Sequence, residues 1–363
     1  MKILYAIQGT GNGHLSRARD IIPILQLKGE LDILVSGIQA DVELPYPVKY
    51  SFNGLSFIFG KKGGINLYQT YKKSHLKKLF EEIKSLPVEK YDLIINDFEP
   101  VSAWACYLKN KTCLSLSHQA AVINKKSPRP KHQDPLGRAI LKNYAPTTFQ
   151  YGFHFSEYDD NIFTPVIRKQ VRALHPENRG HYTVYLPAYN DKRIIKVLSE
   201  CKDTRWEVFS KHNKKEFKEK NVFVYPINNE GFVESMATAE GVLCGAGFET
   251  PAEAMFLGKK IMVIPMKNQF EQHCNAAALE ELGVPILKKL NKKYAGDILS
   301  WINEGKKVPV NYPDITEQII DSIFRTHFEL NRSRSVSPGR KANSIKAFRK
   351  ISLKKILLKI AVS

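Results

Sequence analysis

Two short stretches hold the residues whose types and spacing could do chemistry. The first, Gly9-Thr10-Gly11-Asn12-Gly13-His14, follows the apolar run Lys2–Ile7. Its glycines leave room for a ligand against the backbone, and His14 stands at the entrance of the helix that follows. Imidazole titrates near neutrality, so it can accept a hydroxyl proton while the oxygen attacks. The second stretch is Cys244–Val284. A glycine-rich turn there follows the apolar run Gly241–Leu243 and opens a helix that carries Glu253 and ends at Gly258. A buried strand, Ile261–Ile264, stops at Pro265, and a polar loop leads through Glu271 and Gln272 into a helix ending at Gly283. A turn at a helix N-terminus presents free backbone N–H groups to an anion. With a carboxylate inside the helix and a polar pair after the next strand, this is the layout expected for gripping a phosphorylated sugar with its ribose.

A general base of this kind needs an acid to hold its ring in the right tautomer. Functional side chains of parallel sheets collect at the carboxyl ends of strands. Asp97 and Glu99 lie at such an end, Asp97 nearer the strand, and both are candidates. His118 and Gln119 end the next strand and are candidates for the acceptor side. Each residue alone also fits an ordinary role: His14 as a polar helix entry, the acids as solvated loop groups, His118 as a cap, Glu253 as a helix carboxylate. Two other phosphate chemistries fit poorly. The third position of GxGxxG is His14, and Ser36-Gly37 replaces the acid that would hold a ribose in a nicotinamide-dinucleotide fold. A GxxxxGK[ST] loop is absent. Asp97-Phe98-Glu99 is not a DxD motif and the cysteines form no CxxC pair, so neither a metal nor a cofactor is expected.

The elements that must position these residues alternate strand and helix. Lys2–Ile7, a helix over Leu15–Lys28 and Leu31–Val35 open a doubly wound parallel sheet. Helices are predicted at Tyr71–Ser85, Val101–Lys109 and Leu136–Asn143, and strands at Tyr91–Asn96, Thr112–Leu116 and Thr148–Phe155. Val42–Thr70 reads as strands around a mobile loop at Lys61-Lys62-Gly63-Gly64. The alternation then restarts with Tyr182–Leu186, so we expect two similar α/β domains. The predicted domains are residues 1–165 and 180–331, with a linker at 166–179 and a closing helix near Thr316–Phe328.

At 363 residues the chain has length for two such domains, and 43% hydrophobic content supports real cores. Five scattered cysteines point to a reducing, cytoplasmic setting. The first residues lack a signal-peptide pattern, and no apolar run is long enough to span a bilayer. Of the +19 net charge, ten Lys and Arg lie within residues 332–363, which hold no acid. Leu353, Ile356, Leu357 and Ile360 share one helical face there, with Lys354, Lys355 and Lys359 away from it. Ile351, Leu358 and Val362 break the separation, but the pattern suits an interfacial helix on an anionic membrane surface, with docking on the protein's own surface or on a partner as the alternative. Only Phe348 could stack a base, so nucleic acid is the poorer partner. Vesicle co-sedimentation of the full chain, lost on deletion of residues 332–363, is the expected result; equal sedimentation of both would sink the membrane reading.

With both stretches in view, the chain resembles the two-domain GT-B glycosyltransferases. The nearest likeness is to the family of the UDP-N-acetylglucosamine transferase of peptidoglycan lipid II synthesis and its relatives, and Cys244–Val284 also resembles the donor-binding motif of UDP-glycosyltransferases. Gly9–Arg17 and Gly245–Val284 carry the likeness: the glycine turn, Glu253, Gly258-Lys259 before Pro265, and Glu271-Gln272 before Asn275-Ala276, in that order. The resemblance implies two Rossmann-like domains facing a cleft. It implies a diphosphate held by Gly245, Ala246, Gly247, Phe248, Glu249 and Thr250, with Gly11 and Gly13 on the opposite side. It further implies ribose hydroxyls on Glu253 and donor-sugar hydroxyls on Glu271, Gln272 and Asn275. His14 is the implied base or acceptor-site histidine, and transfer from a UDP-linked sugar to a hydroxyl would invert the anomeric centre without a metal. The acceptor is open, with a lipid-linked one at the membrane's inner face among the possibilities. Two departures stand out: Leu186-Pro187-Ala188-Tyr189-Asn190 lacks the family's phosphate glycines, and Gly245 stands where relatives often carry Arg or His. An epimerase or hydrolase of the same fold, or a non-catalytic sugar-nucleotide binder, are the alternatives.

Overall fold

The computed structural model describes residues 1–37, 44–55, 76–132 and 134–334. Most of Val42–Thr70, including the Lys61–Gly64 loop, and the basic tail from residue 335 lie outside the described residues. The first Rossmann-like unit comprises β1 (Lys2–Gln8), α1 (Asn12–Gln26), β2 (Glu30–Ser36), β3 (Tyr50–Phe52), α2 (Leu76–Ser85), β4 (Leu93–Asp97) and α3 (Pro100–Leu108). It continues through β5 (Leu114–Ser117), α4 (His118–Ile123), α5 (Pro135–Tyr144), β6 (Phe149–Phe153), β7 (Ile162–Phe163) and α6 (Lys169–Arg172). The second unit holds β8 (His181–Tyr185), α7 (Asp191–Leu198), β9 (Arg205–Ser210), β10 (Phe217–Glu219), β11 (Val222–Pro226), α8 (Asn229–Thr238) and β12 (Gly241–Gly245). It ends with α9 (Glu249–Phe256), β13 (Lys260–Ile264), α10 (Phe270–Glu281), α11 (Ala295–Glu304) and α12 (Thr316–Arg334).

Among the described residues the first sheet has the order β3-β2-β1-β4-β5-β6-β7 and the second β10-β11-β9-β8-β12-β13. All pairings are parallel except β10 with β11. Strands buried on both faces need a near-continuous apolar run, and β1 and β4 supply it. Among the parallel strands of each sheet the order reverses once, between β1 and β4 and between β8 and β12. Those switch points are where open α/β sheets form crevices for ligands. The two predicted stretches sit there: Gly9–His14 follows β1, and Gly245–Thr250 follows β12.

One apolar core runs from Ile3, Leu15 and Ile21 of the first unit through Phe155, Val166 and Ile167 to Phe232, Ala252 and Ile261 of the second. The last helix returns to the first unit. Lys28, just past the end of α1, pairs with Asp321 on α12 at 2.5 Å, and Tyr151 Oη lies 3.1 Å from His327 Nε2. The alternation read from sequence is present in order, with two kinds of difference. The α1 helix begins at Asn12 rather than Leu15, because Gly11 takes φ +94° and turns the chain early. That puts His14 inside the first turn. The short α4, α6 and β10 were not expected. The α4 helix starts directly at the end of β5, with Ser117 accepting a cap bond from the Ala120 amide at 3.2 Å.

Candidate active site

His14 and Asp97 meet at the first sheet's switch point. β1 and β4 are adjacent and parallel, so the turn after β1 and the end of β4 lie side by side. His14 Nδ1 is 2.8 Å from Asp97 Oδ1, with the imidazole 12% exposed and the carboxylate fully buried. A carboxylate can only accept, so Nδ1 donates to it, and in the neutral ring Nε2 then carries the lone pair. That is the tautomer a general base needs.

Beyond Asp97, Phe98 takes φ +57° and turns the chain, so the next acid points elsewhere. Glu99 becomes the N-cap of α3, accepting from the Val101 and Ser102 amides at 2.6 Å each and from Ser36 Oγ at 2.6 Å. Of the two acids left open by sequence, Asp97 reaches the imidazole and Glu99 does not. Its cap position before Pro100 explains why.

The sequence reading missed Arg17. It lies on α1 one turn after His14, is 2% exposed, and donates from Nη2 to both Asp97 oxygens at 2.7 Å. Its Nη1 crosses to Glu249 Oε1, the first residue of α9, at 2.5 Å. Burial pushes the Asp97 carboxyl up, but Arg17 and His14 more than offset it and hold it below the usual range. A signal existed: Arg17 falls three residues after His14 and four before the apolar Ile21, so it shares their helical face and, once buried there, must be paired.

A second line of contacts continues from the imidazole. Gln119 Nε2 is 3.4 Å from His14 Nε2 and donates to Glu271 Oε2 at 3.2 Å, while Gln119 Oε1 is buried without a partner in the protein. Asp97, His14, Gln119 and Glu271 thus form one row from the first unit into the second. His118, expected on the acceptor side, instead lies in the contact between units. Its ring is stacked on Phe248 with centroids 3.9 Å apart, Nδ1 donates to the Phe153 carbonyl at 2.8 Å, and Asn275 Oδ1 lies 2.8 Å from Nε2. Burial lowers its pKa. Phe248 and Asn275, expected at the donor, are therefore buried in that contact. The Asn275 amide also donates to the Ala246 carbonyl at 3.1 Å and fixes the turn.

Around that turn the remaining residues are close together. Phe248 caps α9 without a side-chain hydrogen bond, so the first amides of the helix meet no capping side chain. A side chain at Gly247 would meet nothing within 4 Å, and one at Gly245 would face Gln272 Oε1 at 3.8 Å. Gln272 Oε1 accepts from the Met266 amide at 2.8 Å. Thr250 follows Glu249 in the first turn of α9. Gly13 faces Glu249, and Gly11 opens α1. Glu253 is buried with both oxygens on Arg168, at 2.5 Å to Nε and 2.7 Å to Nη2. Burial pushes its carboxyl up despite that guanidinium. Arg168, from the segment joining the units, was also missed. A carboxylate has about four lone-pair sites, so Glu253 can still accept from a ligand hydroxyl.

The model of one family, described as glycosyl transferase family 1, matches residues 1–303. The chain belongs to glycosyl transferase family 1. No curated protein sequence matches it. Among solved structures, MurG of Acinetobacter baumannii superposes with a TM-score of 0.54 at 14% identity, over 89% of this chain and 99% of that one. The spinosyn rhamnosyltransferase SpnG complexed with thymidine diphosphate gives 0.54 at 13%, over 90% and 96%. UGT89C1 of Arabidopsis thaliana complexed with quercetin gives 0.53 at 13%, over 88% and 93%. These likenesses establish a GT-B fold, and the family makes sugar transfer the activity.

Proposed function

We propose that the chain is an inverting glycosyltransferase that moves a sugar from a nucleoside-diphosphate sugar, UDP-linked, to a hydroxyl acceptor, with His14 as the base. The observation that carries this reading is the row Asp97–His14–Gln119–Glu271, which ends at the residue expected to hold the donor sugar. In it the acceptor hydroxyl replaces the Gln119 amide at His14 Nε2. As its oxygen attacks the anomeric carbon, the proton passes to Nε2, and Asp97 stabilises the imidazolium through Nδ1–H. The anomeric bond to the diphosphate breaks from the opposite face. The leaving diphosphate is held by the first amides of α9 and the helix dipole there, a role that requires no metal. Glu253 takes ribose hydroxyls on its remaining lone pairs, and Gln272 with Glu271 takes those of the sugar.

Direct displacement has a signature independent of the acceptor's identity. Incubation with a panel of UDP- and dTDP-sugars and simple alcohol acceptors should release nucleoside diphosphate and give a glycoside of opposite anomeric configuration. NMR of the product reads this. A product of retained configuration would eliminate the single-displacement mechanism, and sugar release to water alone would favour a hydrolase.

A further inference from the structure

We propose that Arg17 is a positioning residue that ties the geometry of the base to closure of the cleft, with Glu249 as its anchor on the donor side. The proposal rests on the base reading above. Arg17 is a planar fork whose two ends serve different units. Nη2 holds Asp97 in the first, and Nη1 holds Glu249 in the second. Asp97 Oδ1 accepts from both Arg17 Nη2 at 2.7 Å and His14 Nδ1 at 2.8 Å. A rotation of the guanidinium therefore moves the oxygen that orients the imidazole. What fixes the guanidinium plane is the second end, because a rigid fork held at both ends cannot turn.

Gly13 supplies an independent observation. A Cβ there would sit 2.5 Å from Glu249 Oε2 and 2.7 Å from its Cδ. The Glu249 carboxylate is seated against the first turn of α1, in a space that only a glycine leaves free. Glu249 itself is 26% exposed and belongs to the helix whose N-terminus faces the cleft. When the units separate, this carboxylate leaves with α9. Arg17 then keeps Asp97 but loses its second point of fixation. The base is set only while the donor side is closed over it, which limits proton abstraction to the assembled site.

The test uses the full chain with the best-used donor from the UDP- and dTDP-sugar panel, read as nucleoside diphosphate release. Glu249→Ala should lower kcat about tenfold, a coupling of ordinary size for linked sites, with donor KM changed less than about twofold. Glu249→Gln keeps an oxygen for Arg17 Nη1 and should recover most of that loss. In an Arg17→Lys background, Glu249→Ala should change kcat little, since the link is already cut. Glu249 is partly exposed, so its two variants decide the matter even if Arg17→Lys does not fold. A raised KM with kcat preserved would make Glu249 a donor contact and overturn the proposal, as would unchanged kinetics in Glu249→Ala. His14→Ala, run alongside, separates the two levels. Transfer retained in that variant overturns the base reading and this one together. Transfer lost in it but untouched by Glu249→Ala overturns this one alone.

Discussion

Replacing His14 by Ala should lower transfer by about two to four orders of magnitude, the usual contribution of a positioned general base, and leave affinity for nucleoside diphosphate within about threefold. The first expectation follows from the tautomer. Asp97 accepts a hydrogen bond from Nδ1 at 2.8 Å, which in the neutral ring leaves the lone pair on Nε2, facing the Gln119 amide that in turn bonds Glu271. The second expectation follows from what remains. Both Asp97 oxygens stay bonded to Arg17, so no buried charge is stranded and the switch-point turn keeps its support. The turn at Gly247 and Glu253 belongs to the other unit. Steady-state turnover with the best donor, beside a calorimetric titration with UDP, checks both halves. Turnover within tenfold of wild type would remove His14 from the base role. A parallel collapse of UDP affinity would instead make it a donor ligand.

What the sequence revealed of this site, and what it hid, divides by range. His14 and Asp97 were legible because strand order brings the ends of β1 and β4 together in any sheet opened by β-Gly-turn-α-β. Glu99 competed only until its local context is weighed: an acid before Pro100 at a helix start is an N-cap signature. Arg17 was legible in principle, from its place one turn after His14 on the same helical face. Its partner was not, because Glu249 comes from the other unit. The same holds for His118, which stacks on Phe248 and meets Asn275, and for Arg168, which holds Glu253. Spacing along a chain sets what one helix or strand presents. It does not set which face of a second unit closes over it, and that contact is where His118, Phe248 and Asn275 took their places.

The second large effect concerns Asp97. Asp97→Asn should impair both folding and transfer, for separable reasons. Arg17 is 2% exposed, and in wild type its charge is balanced by Asp97 and Glu249. Removing the buried partner of a salt bridge costs about 3–5 kcal/mol, so the urea midpoint at neutral pH should fall clearly. The pH dependence has a fixed sign. Folding holds the Asp97 carboxyl below its usual range. Its contribution is therefore complete above the ordinary carboxylate pKa of about 3.9 and lost as pH falls through the lower folded value. The gap in stability between wild type and Asp97→Asn should narrow as pH falls below the ordinary carboxylate range. A gap that instead widened in acid would contradict the Arg17–Asp97 account. The loss of transfer has another origin. Facing Arg17, the new carboxamide places its oxygen on the guanidinium and turns its N–H₂ toward His14 Nδ1. The ring must then accept at Nδ1 and carry its proton on Nε2, the wrong tautomer for a base. Turnover should fall by orders of magnitude even at temperatures where the variant is fully folded, because a base already protonated at the reacting nitrogen has nothing left to accept with.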